Sequence, residues 1–83
     1  MSLSDDSDKR TTKSELARMF GISIRTVHRT MKVAQIRTSR TSHDIRDIGL
    51  FTVARRKLAE GETYRQVADY FATRQNLKEI YQL

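Results

Sequence analysis

At 83 residues the chain has room for one small domain with a single core, so no separate catalytic domain is expected. Its net charge of +6 points to a polyanionic partner, whether DNA, RNA or an anionic membrane surface. The absence of cysteine excludes a disulfide framework and a thiolate zinc site, and no apolar run approaches the roughly 20 residues of a membrane span, so a cytoplasmic protein held by apolar packing is expected.

Residues 1–10 are rich in Ser, Asp and Lys with almost nothing to bury, and read as a disordered tail ahead of one domain over residues 11–83. Thr12-Lys13-Ser14-Glu15 has the form of a capping box, which predicts a helix from about Lys13 to Phe20. Leu16 and Phe20 lie four apart with Ala17 beside them, giving an apolar face on which another helix can approach closely. Gly21 suits the left-handed position that ends a helix, and Ile22 anchors the turn. Ser23 is a good N-cap for a second helix, in which Val27 and Met31 face inward and Arg25, His28, Arg29 and Lys32 face out.

Val33 to Ser42 has no helical stripe, and its polar, β-branched and basic composition allows either a short β-hairpin or an irregular basic loop. A third helix is predicted from near Asp44, with Ile45, Ile48, Phe51, Ala54 and Leu58 spaced by threes and fours. Arg55, Arg56 and Lys57 complement the dipole of its last turn, and Gly61 marks its stop. Gly49 inside it costs about 1 kcal/mol relative to alanine, which allows a break or a close helix contact there. Thr63-Tyr64-Arg65-Gln66 is a second capping box, opening a helix that faces Val67, Ala68 and Phe71 inward. After Ala72 and Thr73, a last helix over Gln75 to Leu83 would carry Leu77, Ile80 and Tyr81. The expected fold is therefore all-α, a helix-turn-helix bundle of four to five helices, with or without a short β wing.

Charge is regional. From Leu16 to His43 the chain carries Arg18, Arg25, Arg29, Lys32, Arg37 and Arg40 and no acidic residue, whereas beyond Thr63 the charges are nearly balanced. A basic block laid over a helix, a glycine turn and a second helix is the pattern of a surface that enters the DNA major groove.

Leu16, Ala17, Phe20, Gly21, Ile22, Ser23, Val27 and Met31 together resemble the helix-turn-helix class of bacterial and phage regulators, and Arg25-Thr26-Val27-His28-Arg29 is similar to the recognition helices of repressors, resolvases and transposases. Thr30 departs from the pattern, standing where many such proteins place a larger core residue. The resemblance implies that exposed residues of the second helix enter the groove. Leu16-Ala17-x-x-Phe20 recurs as Val67-Ala68-x-x-Phe71, so residues 57–81 also resemble the lead-in to a second, degenerate helix-turn-helix, the other reading being packing or dimerisation. A further resemblance, to MerR-type regulators and excisionases, would place Arg37 and Arg40 in a wing gripping phosphates or the minor groove, although the segment is short for a full MerR wing.

The candidate DNA-binding residues are thus Ser23, Arg25, Thr26, His28, Arg29, Lys32, Arg37 and Arg40. Arg25 and Arg29 share a helical face, and an arginine can donate two hydrogen bonds to guanine O6 and N7. Ser23 and Thr26 offer hydroxyls and helix-start amides to phosphate, and His28 could donate to a phosphate or a base. His43 reads as a helix-start residue, and two histidines 15 apart without cysteine make no metal site. Tyr64, Tyr70 and Tyr81 read as core or dimer surface rather than a stacking platform. No nucleophile elbow, phosphate loop or paired carboxylate is present, so neither catalysis nor a cofactor is expected, and no small-molecule effector is evident. The expectation is a nucleoid-associated regulator of transcription, a repressor acting by operator occupancy. Its alternatives are an accessory factor in partition, replication or recombination, and a helical protein or RNA adaptor. Because one helix reads few base pairs, a homodimer or a second reading unit is needed, with residues 50–83 the place for either, and a homodimer is expected.

Overall fold

The computed structural model describes residues 10–81, and for residues 75–81 the helical backbone alone. The expected disordered tail, apart from Arg10, lies outside the described residues. Four helices follow in order: α1 (Lys13–Phe20), α2 (Ile24–Val33), α3 (Ile45–Ala59) and α4 (Tyr64–Tyr81). Among the described residues there is no β-strand, and no helix is long and apolar enough to cross a membrane.

The helix starts are set by side chains that satisfy free amides. Thr12 Oγ1 accepts from the Glu15 amide at 3.2 Å while Glu15 Oε1 accepts from the Thr12 amide at 2.8 Å, the reciprocal box expected. Ser23 Oγ caps α2 through the Thr26 amide at 3.1 Å, and Asp44 Oδ1 caps α3 through the Asp47 amide at 3.0 Å. Thr63 and Gln66 repeat the reciprocal arrangement ahead of α4, at 2.8 and 3.1 Å. Gly21 stops α1 in the left-handed conformation, φ 66°, and the amide of Ile22 returns to the Ala17 carbonyl at 2.9 Å. Gly61, at φ 104°, turns the chain between α3 and α4.

α2 packs against each of the other three helices. Leu16, Val27, Met31, Ala34, Ile36, Phe51, Ala54, Val67 and Phe71 form one buried core. Phe20 of α1 meets Phe51 of α3 edge to face, with centroids 5.0 Å apart and planes at 63°. Full burial of a side chain such as Phe51, Leu16, Met31 or Val27 contributes about 1.5–3 kcal/mol relative to exposure.

Three expectations are corrected. The separate last helix expected from Gln75 is not formed: α4 runs unbroken through Ala72 and Thr73, so the described residues hold four helices, within the expected four to five, and no turn there for a second helix-turn-helix. Neither residue interrupts the backbone ladder, and alanine is the strongest helix former, so nothing in that stretch stops the helix. Ile45 is 78 % exposed rather than inward. The buried stripe of α3 is set by Asp47, Phe51 and Ala54, and Ile45 lies about 200° around the helix from Asp47. Gly49 is exposed within an unbroken α3, and a Cβ there would meet nothing within 4 Å, so it marks neither a break nor a close contact.

Candidate nucleic-acid interface

α2 is held by one face and free on the other. Val27, Thr30 and Met31 are buried, while Arg25, His28, Arg29 and Lys32, at the complementary spacing, are exposed. No acidic residue stands on α2, and Lys32 lies in its last turn. Ser23, also exposed, shares a hydrogen bond of 2.9 Å between its hydroxyl and that of half-buried Thr26, so the helix start presents a coupled pair of hydroxyls. All six α2-region candidates therefore lie along one helix and its cap.

Arg29 has a specific neighbour. Its guanidinium carbon stands 4.0 Å from the centroid of the Tyr64 ring, at the first turn of α4. Tyr64 and Tyr70 are both half-buried, and each carries a cation on its face rather than serving the core alone. Tyr70 holds Lys57 Nζ at 3.9 Å, meets Phe71 edge on at 5.1 Å, and accepts from Arg74 Nη1 at 3.2 Å. The side chains of Leu77, Ile80 and Tyr81, expected to serve packing or dimerisation, lie outside the described residues.

Residues 34–43 settle the open choice between hairpin and loop. They form an irregular loop with turns at residues 34–35 and 38–39, and Gln35 adopts φ 61°. The β wing is therefore not formed; polar and basic residues without an alternating apolar face have nothing to register against. Arg37 is exposed on this loop. Arg40, expected to be free for phosphate, instead donates from Nη1 to Asp47 Oδ2 at 3.1 Å, although its side chain stays 43 % exposed. Its carbonyl accepts from Lys13 Nζ.

His43 stands at the start of α3, directly before the cap Asp44, as expected, and it is fully buried there. Nδ1 donates to the same Asp47 Oδ2 at 3.0 Å, and its backbone pairs with Thr11 in both directions at 2.8 Å, tying the start of the domain to the end of the loop. Arg10, placed with the tail by composition, belongs to this anchor through Nε to Ser42 Oγ at 2.8 Å. Its partner could not be read from residues 32 positions away. The His43–Asp47 pair had a visible signal, the four-residue spacing of helical neighbours.

The caps flanking the interface hold their carboxylates ionised. Hydrogen bonding from the Thr12 backbone, then its side chain, lowers the Glu15 pKa; the Asp47 backbone amide lowers that of Asp44. Among the described residues no three His, Cys, Asp or Glu side chains converge as a metal site.

No protein-family model, curated protein or solved structure matches this chain.

What the arrangement offers chemically is a rigid rod with four cationic or hydrogen-bonding side chains on its solvent side. Its hydroxyl-bearing start lies at one end and an exposed arginine, Arg37, on the loop that follows. Donors are abundant and acceptors scarce, which suits a partner made of phosphate oxygens and base edges.

Proposed function

We propose that this protein binds double-stranded DNA with the exposed face of α2 in the major groove and acts as a regulator of transcription by occupying an operator. The observation that carries this reading is the division of α2: Val27, Thr30 and Met31 pinned in the core, Arg25, His28, Arg29 and Lys32 exposed together, and no acid among them. An α-helix fits the major groove, and arginine there can read guanine through two in-plane hydrogen bonds. Ser23 and Thr26 supply the helix start with phosphate ligands, and Arg37 adds a contact from the loop. A homodimer gives such a short reading unit its specificity, with half-sites spaced by the helical repeat.

Selection of preferred duplexes from a random pool, followed by titration of the winner against a scrambled duplex, tests the reading. The expected result is a preferred sequence whose advantage is reduced by Arg25→Ala. Equal, weak binding of every duplex would instead favour a helical adaptor for acidic protein or RNA. Footprints at the promoter of the protein's own gene support repression, and arrays at an origin, a centromere-like site or an attachment site support an accessory role.

A further inference from the structure

We infer that Tyr64 is a positioning residue for Arg29, so that the base preference of α2 is set in part from the first turn of α4; this rests on the reading of α2 as the helix that meets duplex DNA. A guanidinium stacked on an aromatic ring gives up only its flat face. Its five N–H donors lie around the edge, in the plane, and remain free for a partner approaching from the side. Among the described residues nothing accepts a hydrogen bond from the guanidinium of Arg29, which is exposed and whose guanidinium carbon is 4.0 Å from the Tyr64 centroid. The ring on one side thus restricts the guanidinium before any ligand arrives.

An unstacked arginine on a helix surface samples many rotamers and loses that freedom on binding. The Tyr64 ring, on a helix whose next two turns bury Val67 and Phe71 in the core, removes part of that loss in advance. Arg25, one helical turn away on the same face, has no aromatic partner among the described residues, so the two arginines differ in kind. Arg29 is the preorganised reader and its ligand is a guanine; Arg25 is the mobile one.

The test measures the whole chain against a duplex selected from a random pool and against single base-pair changes in it. Arg29→Ala should abolish discrimination at one G·C pair. Tyr64→Leu should weaken discrimination at that same pair about two- to fivefold, the size of an exposed cation–π contact, and leave other pairs unchanged. Tyr64→Phe keeps the ring and should retain wild-type discrimination, while Tyr64→Leu in the Arg29→Ala background should have no further effect. Circular dichroism melts of each variant separate loss of fold from loss of positioning, and the Tyr64→Phe result stands if the leucine variant does not fold: discrimination lost there overturns the inference. A preferred duplex read equally well by wild type and folded Tyr64→Leu overturns the role of Tyr64 and leaves α2 as the reader. Absence of any preferred duplex for the wild type overturns both.

Discussion

Arg55 of α3 donates from Nη1 to the hydroxyl of Thr30 in α2 at 3.1 Å, and that hydroxyl in turn donates to the Thr26 carbonyl at 2.8 Å. Thr30 is fully buried, so its place in an apolar face is explained by a cross-helix hydrogen bond that a larger aliphatic residue could not make. Thr30→Val preserves volume and removes the acceptor, and should destabilise the protein by about 1 kcal/mol in urea titration. Thr30→Leu adds aliphatic bulk at the same place but should cost about 1–3 kcal/mol through overpacking. A valine variant as stable as the wild type would show that Arg55 contributes nothing through this bond.

The capping carboxylates predict acid sensitivity with a definite sign. Glu15 and Asp44 have native pKa values below their unfolded ones, Glu15 chiefly through the Thr12 backbone amide and Asp44 through that of Asp47. Their contribution is therefore complete above the ordinary carboxylate range of about pH 4 and is lost as pH falls through the lowered native values. Melting temperatures followed by circular dichroism from pH 6 down to pH 2.5 should drop in that window. Glu15→Gln with Asp44→Asn, which keep the caps but not the titration, should flatten the drop; an unaltered profile would assign acid sensitivity to other groups.

Much of this fold was legible because local chemistry and global packing agree. Thr12, Ser23, Asp44 and Thr63 announce the helix starts, Gly21 and Gly61 the turns, and the spacing of Leu16, Val27, Met31, Phe51, Ala54 and Val67 the core. Along α2 the same periodicity separated the exposed candidates from the buried ones. What escaped depends on contacts distant in sequence: Arg10 on Ser42, Arg55 on Thr30 and Arg29 on Tyr64 join residues 25 or more positions apart. No local rule predicts which of many arginines will find a partner. Asp47 went unread for another reason, since a lone carboxylate is seldom buried and nothing local shows that His43 and Arg40 will be brought beside it.

Two glycines should respond in opposite directions to the same substitution. Gly49→Ala adds a methyl group in open space on an exposed helix face and removes the entropy cost of glycine, so it should stabilise by about 0.5–1 kcal/mol. Gly21→Ala places a side chain at φ 66° and should destabilise by about 1–2 kcal/mol even though space is free around it. Chemical denaturation of both variants measures the difference, and equal effects would mean that backbone conformation does not govern these sites.

Asp47 holds the end of the loop in place, because one oxygen accepts from both Arg40 and buried His43. Asp47→Ala leaves the His43 ring without its acceptor in the interior and should cost about 2 kcal/mol or more, whereas Arg40→Ala leaves the His43 bond intact and should cost less. Hydrogen exchange at the Thr11 and His43 amides, which pair with each other's carbonyls, should quicken in the first variant and change little in the second. The reverse order would transfer the anchoring role to Arg40.

The same ion pair separates the two loop arginines as DNA ligands. Under the proposed function, a side chain that neutralises one phosphate contributes about 0.9 to the slope of log affinity against log salt. Arg37 is exposed with no acidic partner among the described residues, so Arg37→Ala should reduce the slope by about that amount on any duplex. Arg40 is already balanced by Asp47, and moving it to a phosphate would remove that balance and leave the carboxylate to His43 alone. Arg40→Ala should therefore change the slope by much less. If both variants reduce it equally, Arg40 leaves Asp47 on binding and the loop rearranges on the duplex. If neither does, the loop lies off the DNA and α2 with its cap makes the contacts alone.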